Sequence, residues 1–501
     1  MSKKRMIIFT SVILSVVVIS LGIVKLYQTY AIGNYIDTAS SATFDVNITR
    51  DTSVRIPANG YSNVFYMVTN TSPGTVRYGV AYTTDSAVTV KTFSTSKDSA
   101  SGMIEENEKK YVKLRLENTS STVKNITLST VLGYENGGDL VVPSGVTLVT
   151  DTYTPPLAAA EYITKLYTDA SKTSATNNGI TYNYANIYDT DSDDNTSGGL
   201  MNDKLGGTTT SLDGGNIRYY GANPNNYIYF NCSDYSNQSS STCETWRIIG
   251  VFEGKLKLIR NKSIGYHSWD NKDTSTGAET NLGKNDWTTA RLMKLLNPSK
   301  YYTVDSNDNN LGQILYYNGA SGKCYSGQNN ATVDCDFTST GIKNNTTRNM
   351  IAETTYNLGG WNGSSIYPNQ IYGYERGTKV YTGRPTTWKG KIALAYISDY
   401  GYAVDLNQCK DKTLNNYSDS TCTSNNWMKT IITNNGSNPG WLLTPDSSSS
   451  THAWYVPSDG DVRYSSATYG AYWAAPVLSL SSELGIESGD GSSSNPYKLS
   501  A

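Results

Sequence analysis

The sequence predicts an α+β protein built in successive parts, and three observations carry that prediction. Residues 6–24 contain no charged side chain, an apolar length that suffices for a spanning helix. Residues 42–149 alternate apolar and polar positions, the period of half-buried strands. From residue 178 onward, strand patterns interleave with short helical ones, the mixed order of an α+β unit.

The leader opens with Lys3, Lys4 and Arg5, and the uncharged run ends at Lys25. Basic residues before a span stay cytoplasmic, so residues 1–31 are expected to be a cytoplasmic tip and transmembrane anchor. That makes the membrane the first partner and gives a single-pass cell-membrane protein with its bulk outside. Thr29-Tyr30-Ala31 also offers a signal peptidase small residues at two of three positions, the alternative in which the leader is removed.

Six cysteines support the outward orientation. Cys232/Cys243, Cys324/Cys335 and Cys409/Cys422 are separated by 11, 11 and 13 positions, spacings that suit local disulfides in an oxidising compartment. They do not match the CxxC spacing of zinc sites, and no metal or cofactor is implied. With 41 basic and 43 acidic residues the net charge is −2, so no cationic field exists to hold a phosphate backbone and nucleic acid is not an expected partner. Only 17% of residues are charged, whereas tyrosine (40) and glycine (43) are abundant. Such residues make adaptable recognition surfaces.

Each element follows from local pattern. In residues 40–150, Val112, Leu114 and Leu116 share one strand face, Ile126 and Leu128 repeat it, and Val64, Tyr66 and Val68 read likewise. Short strands with such spacing and Pro/Gly/Asn turns indicate an antiparallel sandwich that resembles immunoglobulin-like domains. Residues 151–177 read as a Pro-led linker and an amphipathic helix, with Ile163, Leu166, Tyr167 and Ala170 on one stripe. Residues 189–195 mimic a calcium loop, but Asp194 and Leu200 stand where glycine and glutamate belong, which favours a solvated acidic loop. In residues 178–501, a Glu253-Gly254 turn joins two strands into a hairpin. Short helices follow around Leu292 to Leu296 and Met350 to Ile351, capped by Asp286 or Thr288 and by Thr346 or Thr347. Late strands are expected at residues 391–400, 441–445, 453–456 and 476–480.

The succession WRIIGVF (246–252), RNMIAETTYNLGGWNG (348–363), WKGKIALAYISDYGYA (388–403), WLLTP (441–445), PVLSL (476–480) and SNPYKLS (494–500) resembles a family of uncharacterised bacterial surface proteins. The last third is similar to the C-type-lectin-like fold of formylglycine-generating enzymes and receptor-binding proteins. That resemblance implies a C-type-lectin-like domain over residues 178–501. Family members usually carry arginine before the proline of the PVL strand, where this chain has Ala475. It also lacks the late reactive cysteines that formylglycine chemistry needs, since Cys422 is the last. Some relatives vary mainly at exposed positions of the last strands, which points to residues 447–473.

That segment supplies the candidate ligand-binding residues Tyr455, Asp459, Asp461, Arg463, Tyr464, Tyr469, Tyr472 and Trp473. Tyrosine and tryptophan give large contact area at low entropy cost. Strand alternation requires one of Trp454 and Tyr455 to be buried, and Trp454 is expected in the core. The two histidines, His267 and His452, lie in unrelated segments without a nucleophile motif. The expected function is therefore a non-catalytic extracellular adhesin or lectin-like receptor for a glycan or protein. The alternatives are a glycan-active hydrolase using Asp459/Asp461 or Glu375/Asp399 as paired carboxylates, and a structural envelope protein.

Overall fold

Alternating apolar residues in the first unit produce a two-layer sandwich. A computed structural model describes residues 52–71, 74–133, 139–187, 197–205, 215–271, 282–303, 312–325 and 332–500, and the chain forms two compact units, Met1–Pro155 and Pro156–Ala501. In the first, one sheet orders Thr52–Ile56, Lys124–Gly133, Val76–Thr83 and Ser101–Ile104, with Val146–Leu148 also on Val76–Thr83. The other orders Gly60–Thr69, Lys109–Asn118, Val88–Phe93 and Asp151–Tyr153. Val112, Leu114, Leu116, Ile126, Leu128, Tyr66 and Val68 meet in one shared core. Asp151–Tyr153, read above as linker, is the edge strand of this unit, paired parallel to Val88–Phe93.

The second unit is organised by a nine-stranded sheet running from Ser171–Asn177 through Ile180–Asn186, Ser197–Asn202, Ile217–Asn223, Glu244–Phe252, Lys255–Arg260 and Val477–Ser479 to Ile392–Ala393, with Tyr227–Phe230 beside Glu244–Phe252. Period-two alternation divides its side chains between two hydrophobic clusters. Leu200, Ile248, Leu258 and Leu478 enter one, while their neighbours Met201, Ile249, Ile259 and Val477 enter the other. Both faces are thus buried, which explains near-continuous apolar strands. The helix Ala159–Asp169 sends Ile163 and Tyr167 into the first cluster, and Ser171–Asn177 pairs over seven positions with Ile180–Asn186. The expected linker and helix of residues 151–177 therefore divide between the two units.

The expected α+β class is overturned: strands hold 40% of the chain and helices 15%. Apart from Ala159–Asp169, the described helices of the second unit are short, such as Arg291–Leu296 and Asn345–Met350, and the sheets carry the architecture. That mainly β content also replaces the α+β, C-type-lectin-like fold class expected for the C-terminal region. The expected spanning helix at residues 6–24 lies outside the described residues, and among the described residues no helix is long and apolar enough to cross a membrane. The expected calcium-like loop at residues 189–195 also lies outside them. A further correction concerns residues 391–400. Only Ile392–Ala393 is strand, and Ile397–Tyr402 is a helix whose start is closed by Asp399 accepting from the Tyr396 backbone N–H at 3.0 Å.

All six cysteines pair as Cys232–Cys243, Cys324–Cys335 and Cys409–Cys422, consistent with an extracellular or secreted protein. Inside the second unit lies a balanced ion network. Arg218 Nε donates to Asp203 Oδ2 at 2.6 Å and Nη1 to Asp399 Oδ1 at 3.2 Å, while Lys257 donates to the other Asp399 oxygen. All four side chains are buried. Burial pushes the Asp399 carboxyl up, but the charges of Lys257 and Arg218 outweigh it and hold it below the usual carboxylate range.

Candidate binding face

Three strands build the candidate face. Gly440–Pro445, His452–Val456 and Arg463–Ser466 form an antiparallel meander in which Trp441 pairs with Tyr455, Tyr455 with Arg463, and Trp454 with Tyr464. Residues opposite one another in an antiparallel pair share a face. Trp441, Tyr455 and Arg463 therefore lie on one side, passing from buried through half-buried to exposed. Trp454 and Tyr464 lie on the other.

Aromatic contacts extend the first side. The Tyr472 ring rests on Trp441 at 4.6 Å and on Tyr455 at 4.3 Å, and Tyr469 meets Tyr472 at 4.6 Å. These separations suit attractive ring pairs. The row begins in the core, where Trp441 Nε1 donates to the His267 carbonyl at 2.9 Å, and ends at Tyr469, which is 38% exposed. Arg463, opposite Tyr455 in the strand register, joins two carboxylates: Nη2 lies 2.6 Å from Asp459 Oδ2 and 2.9 Å from Asp461 Oδ2. Burial pushes the Asp461 carboxyl up, the Arg463 bond offsets part of this, and the charge of Asp459 adds to the rise. The result is a stacking surface with directional donors and acceptors at its border.

Of the eight sequence-predicted residues, Tyr455, Tyr469 and Tyr472 meet in the ring row, and Arg463, opposite Tyr455, holds Asp459 and Asp461. Tyr464, 52% exposed, is separated from them by the sheet and stacks on His452 at 5.3 Å. Trp473 belongs to another pair, with its ring 4.6 Å from Tyr266. The Asn438 amide sits between these two, 2.9 Å from the Tyr266 hydroxyl and 2.9 Å from Trp473 Nε1. Tyr472 is buried and serves as the platform under Tyr455 and Tyr469 rather than as an outer contact. Trp454 is in the core at 1% exposure, stacked on Trp361 at 4.6 Å.

The carboxylate pairs weighed for hydrolysis occupy different settings. Glu375 is fully buried and accepts from the Ser398 backbone and hydroxyl and from Thr444 Oγ1 at 2.9 Å. Asp399 belongs to the interior ion network described above. Asp459 and Asp461 are both bound to Arg463. Among the described residues no cluster of histidine, cysteine and carboxylate side chains has the grouping to hold a metal ion.

Two contributors escaped sequence reasoning. Trp441 was read only as a strand residue, although its register opposite Tyr455 makes it the root of the aromatic row. On the Trp454 side lies a cleft of about 610 Å³, lined by Trp361, Gln370, Gly373, Tyr374, Gly377 and Lys379 among others. Its signal was present in Gly373 and Gly377, spaced by one helical turn. No protein-family model matches this chain, and no curated protein matches it either.

Proposed function

We propose that this protein is an extracellular recognition protein, of adhesin or lectin-like type, that binds a glycan or protein through the Tyr455 side of its three-stranded meander. The observation that carries the reading is the convergence of Tyr455, Tyr469 and Tyr472 with the Asp459–Arg463–Asp461 clamp on one partly exposed side. Rigid aromatic anchors beside a polar border are the anatomy of binding hot spots. A core-rooted row supports such anchors without further ordering on contact, which reduces the entropy cost of association. The three disulfides fit action outside the cell, and the uncharged run at residues 6–24 supplies the exporting segment.

The test is binding of the full chain to a glycan array and to intact cells, with Tyr469→Ala as the paired variant. Retention of a defined ligand, weakened at least tenfold by Tyr469→Ala, is the expected result. A ligand bound equally by both forms would place recognition elsewhere.

A further inference from the structure

The cleft beside the helix Pro368–Glu375 contains a glycine that packing does not explain. Gly373 lies inside that helix, where glycine costs about 0.5 to 1 kcal/mol relative to alanine. Among the described residues a Cβ at this position would meet no atom within 4 Å, so none of these neighbours demands its absence. What the missing side chain leaves is open floor. Gln370, Gly373, Tyr374 and Gly377 recur at offsets 0, 3, 4 and 7, and all four line the cleft. Its volume, about 610 Å³, falls within the roughly 300 to 1,000 Å³ of small-molecule sites.

The lining specifies the ligand chemistry. Tyr374, 40% exposed, offers the open aromatic surface, while Trp361, buried and stacked on Trp454, backs the wall behind it. Ser365, Gln370 and Thr378 bring hydroxyl and amide groups that both donate and accept. Among the described residues Lys379 is the one charged side chain in the lining, and no carboxylate accompanies it. Its ammonium donates to Asn362 Oδ1 at 2.8 Å, which orients a group that has three N–H donors in all. An exposed aromatic ring for the apolar face of a sugar, hydroxyls and an amide for its hydroxyls, and one cation together fit a single class. We propose that this cleft binds a saccharide bearing a carboxylate, with Tyr374 against the ring and Lys379 on the acid. The cleft lies on the Trp454 side of the meander, so the inference does not rest on recognition by the Tyr455 side.

The experiment titrates the full chain with methyl β-D-glucuronide, methyl β-D-glucoside and N-acetyl-aspartate, followed by saturation-transfer NMR and tryptophan fluorescence. The glucuronide is expected to bind at least tenfold more tightly than the other two. Lys379→Gln should remove that margin by weakening the glucuronide toward the level of the glucoside. Gly373→Gln extends a side chain over the floor at a position where it also favours the helix, and should abolish binding of both sugars with the unfolding midpoint retained. Tyr469→Ala, on the other side of the meander, should change neither. Equal binding of N-acetyl-aspartate would reduce the effect to charge attraction and overturn the saccharide assignment. So would a glucuronide that does not saturate, or whose binding survives Gly373→Gln or is indifferent to Lys379→Gln.

Discussion

Asp399→Asn preserves the shape of the buried ion network and removes one of its two negative charges. In the native protein Asp203 and Asp399 balance Arg218 and Lys257, and all four side chains are buried. The variant leaves Arg218 with Asp203 but strips Lys257 of its anion, so the interior acquires an uncompensated positive charge. Removing one partner of a buried pair costs about 3 to 5 kcal/mol, against about 1 kcal/mol or less for an exposed pair. All nine tryptophans lie in the second unit, so denaturant unfolding followed by tryptophan fluorescence reports that unit alone. The expected loss is about 3 to 5 kcal/mol at pH 7. Adding Lys257→Met to the variant should recover part of it by restoring neutrality, a non-additivity that contacting charges require. Because the folded carboxyl lies below its usual value of 3.8, its contribution is present above that pH and is lost as the pH falls further through the folded value. The gap between native protein and Asp399→Asn should therefore narrow only in that acid range. A loss below about 1 kcal/mol at pH 7, the size of a surface pair, would refute the reasoning.

Other outcomes follow from the same packing. Trp454→Ala removes the ring held between Trp361 and Tyr464 and should cost about 3 to 5 kcal/mol by denaturant titration, whereas exposed Tyr464→Ala should cost under about 1. Replacing Cys409 and Cys422 together by serine frees a local loop and should destabilise the second unit by about 2 to 3 kcal/mol, with added reductant reproducing the effect in the native protein. Burial lowers His267 to about 4, so the unfolded chain takes the proton first and this group's contribution is lost as pH falls from 6.5 toward 4, by about 3 kcal/mol. Asp270, raised by burial to about 6, acts in the opposite sense over the same range. His267→Gln should therefore make the unfolding midpoint rise between pH 6 and pH 4 relative to the native protein.

Much of the strand content was legible because one side chain in two is apolar. The hairpin of Glu244–Phe252 and Lys255–Arg260 appears where its Glu253-Gly254 turn predicted, with both turn residues at positive φ, 51° and 71°. The strand Ser171–Asn177 was missed because its composition is almost wholly polar, yet Asn178-Gly179, both at positive φ, is among the strongest short-range hairpin signals. Residues 391–400 were misread because a short apolar run fits a buried strand or a buried helical turn equally well. Tertiary context decided it, with Asp399 drawn inward by Lys257 and Arg218. Helix starts were only approximate. Asp286 accepts from Thr288 in a turn before Arg291–Leu296, and Asn344, not a threonine, caps Asn345–Met350 through Thr347. Within the candidate face, local sequence placed the aromatics in the correct segment. Pairing Tyr455 with Trp441 and Arg463, and separating Tyr464 from both, needed the register of three strands, which no single segment encodes.

Recognition through the Tyr455 side is tested most directly by measuring, on one preparation of the full chain, ligand affinity and unfolding midpoint for Arg463→Ala and Tyr469→Ala. Both variants are expected to lose at least tenfold in affinity for the ligand that the array and cell screens identify, with midpoints close to the native value because neither residue is buried. Native affinity in both variants, at native stability, would contradict the account.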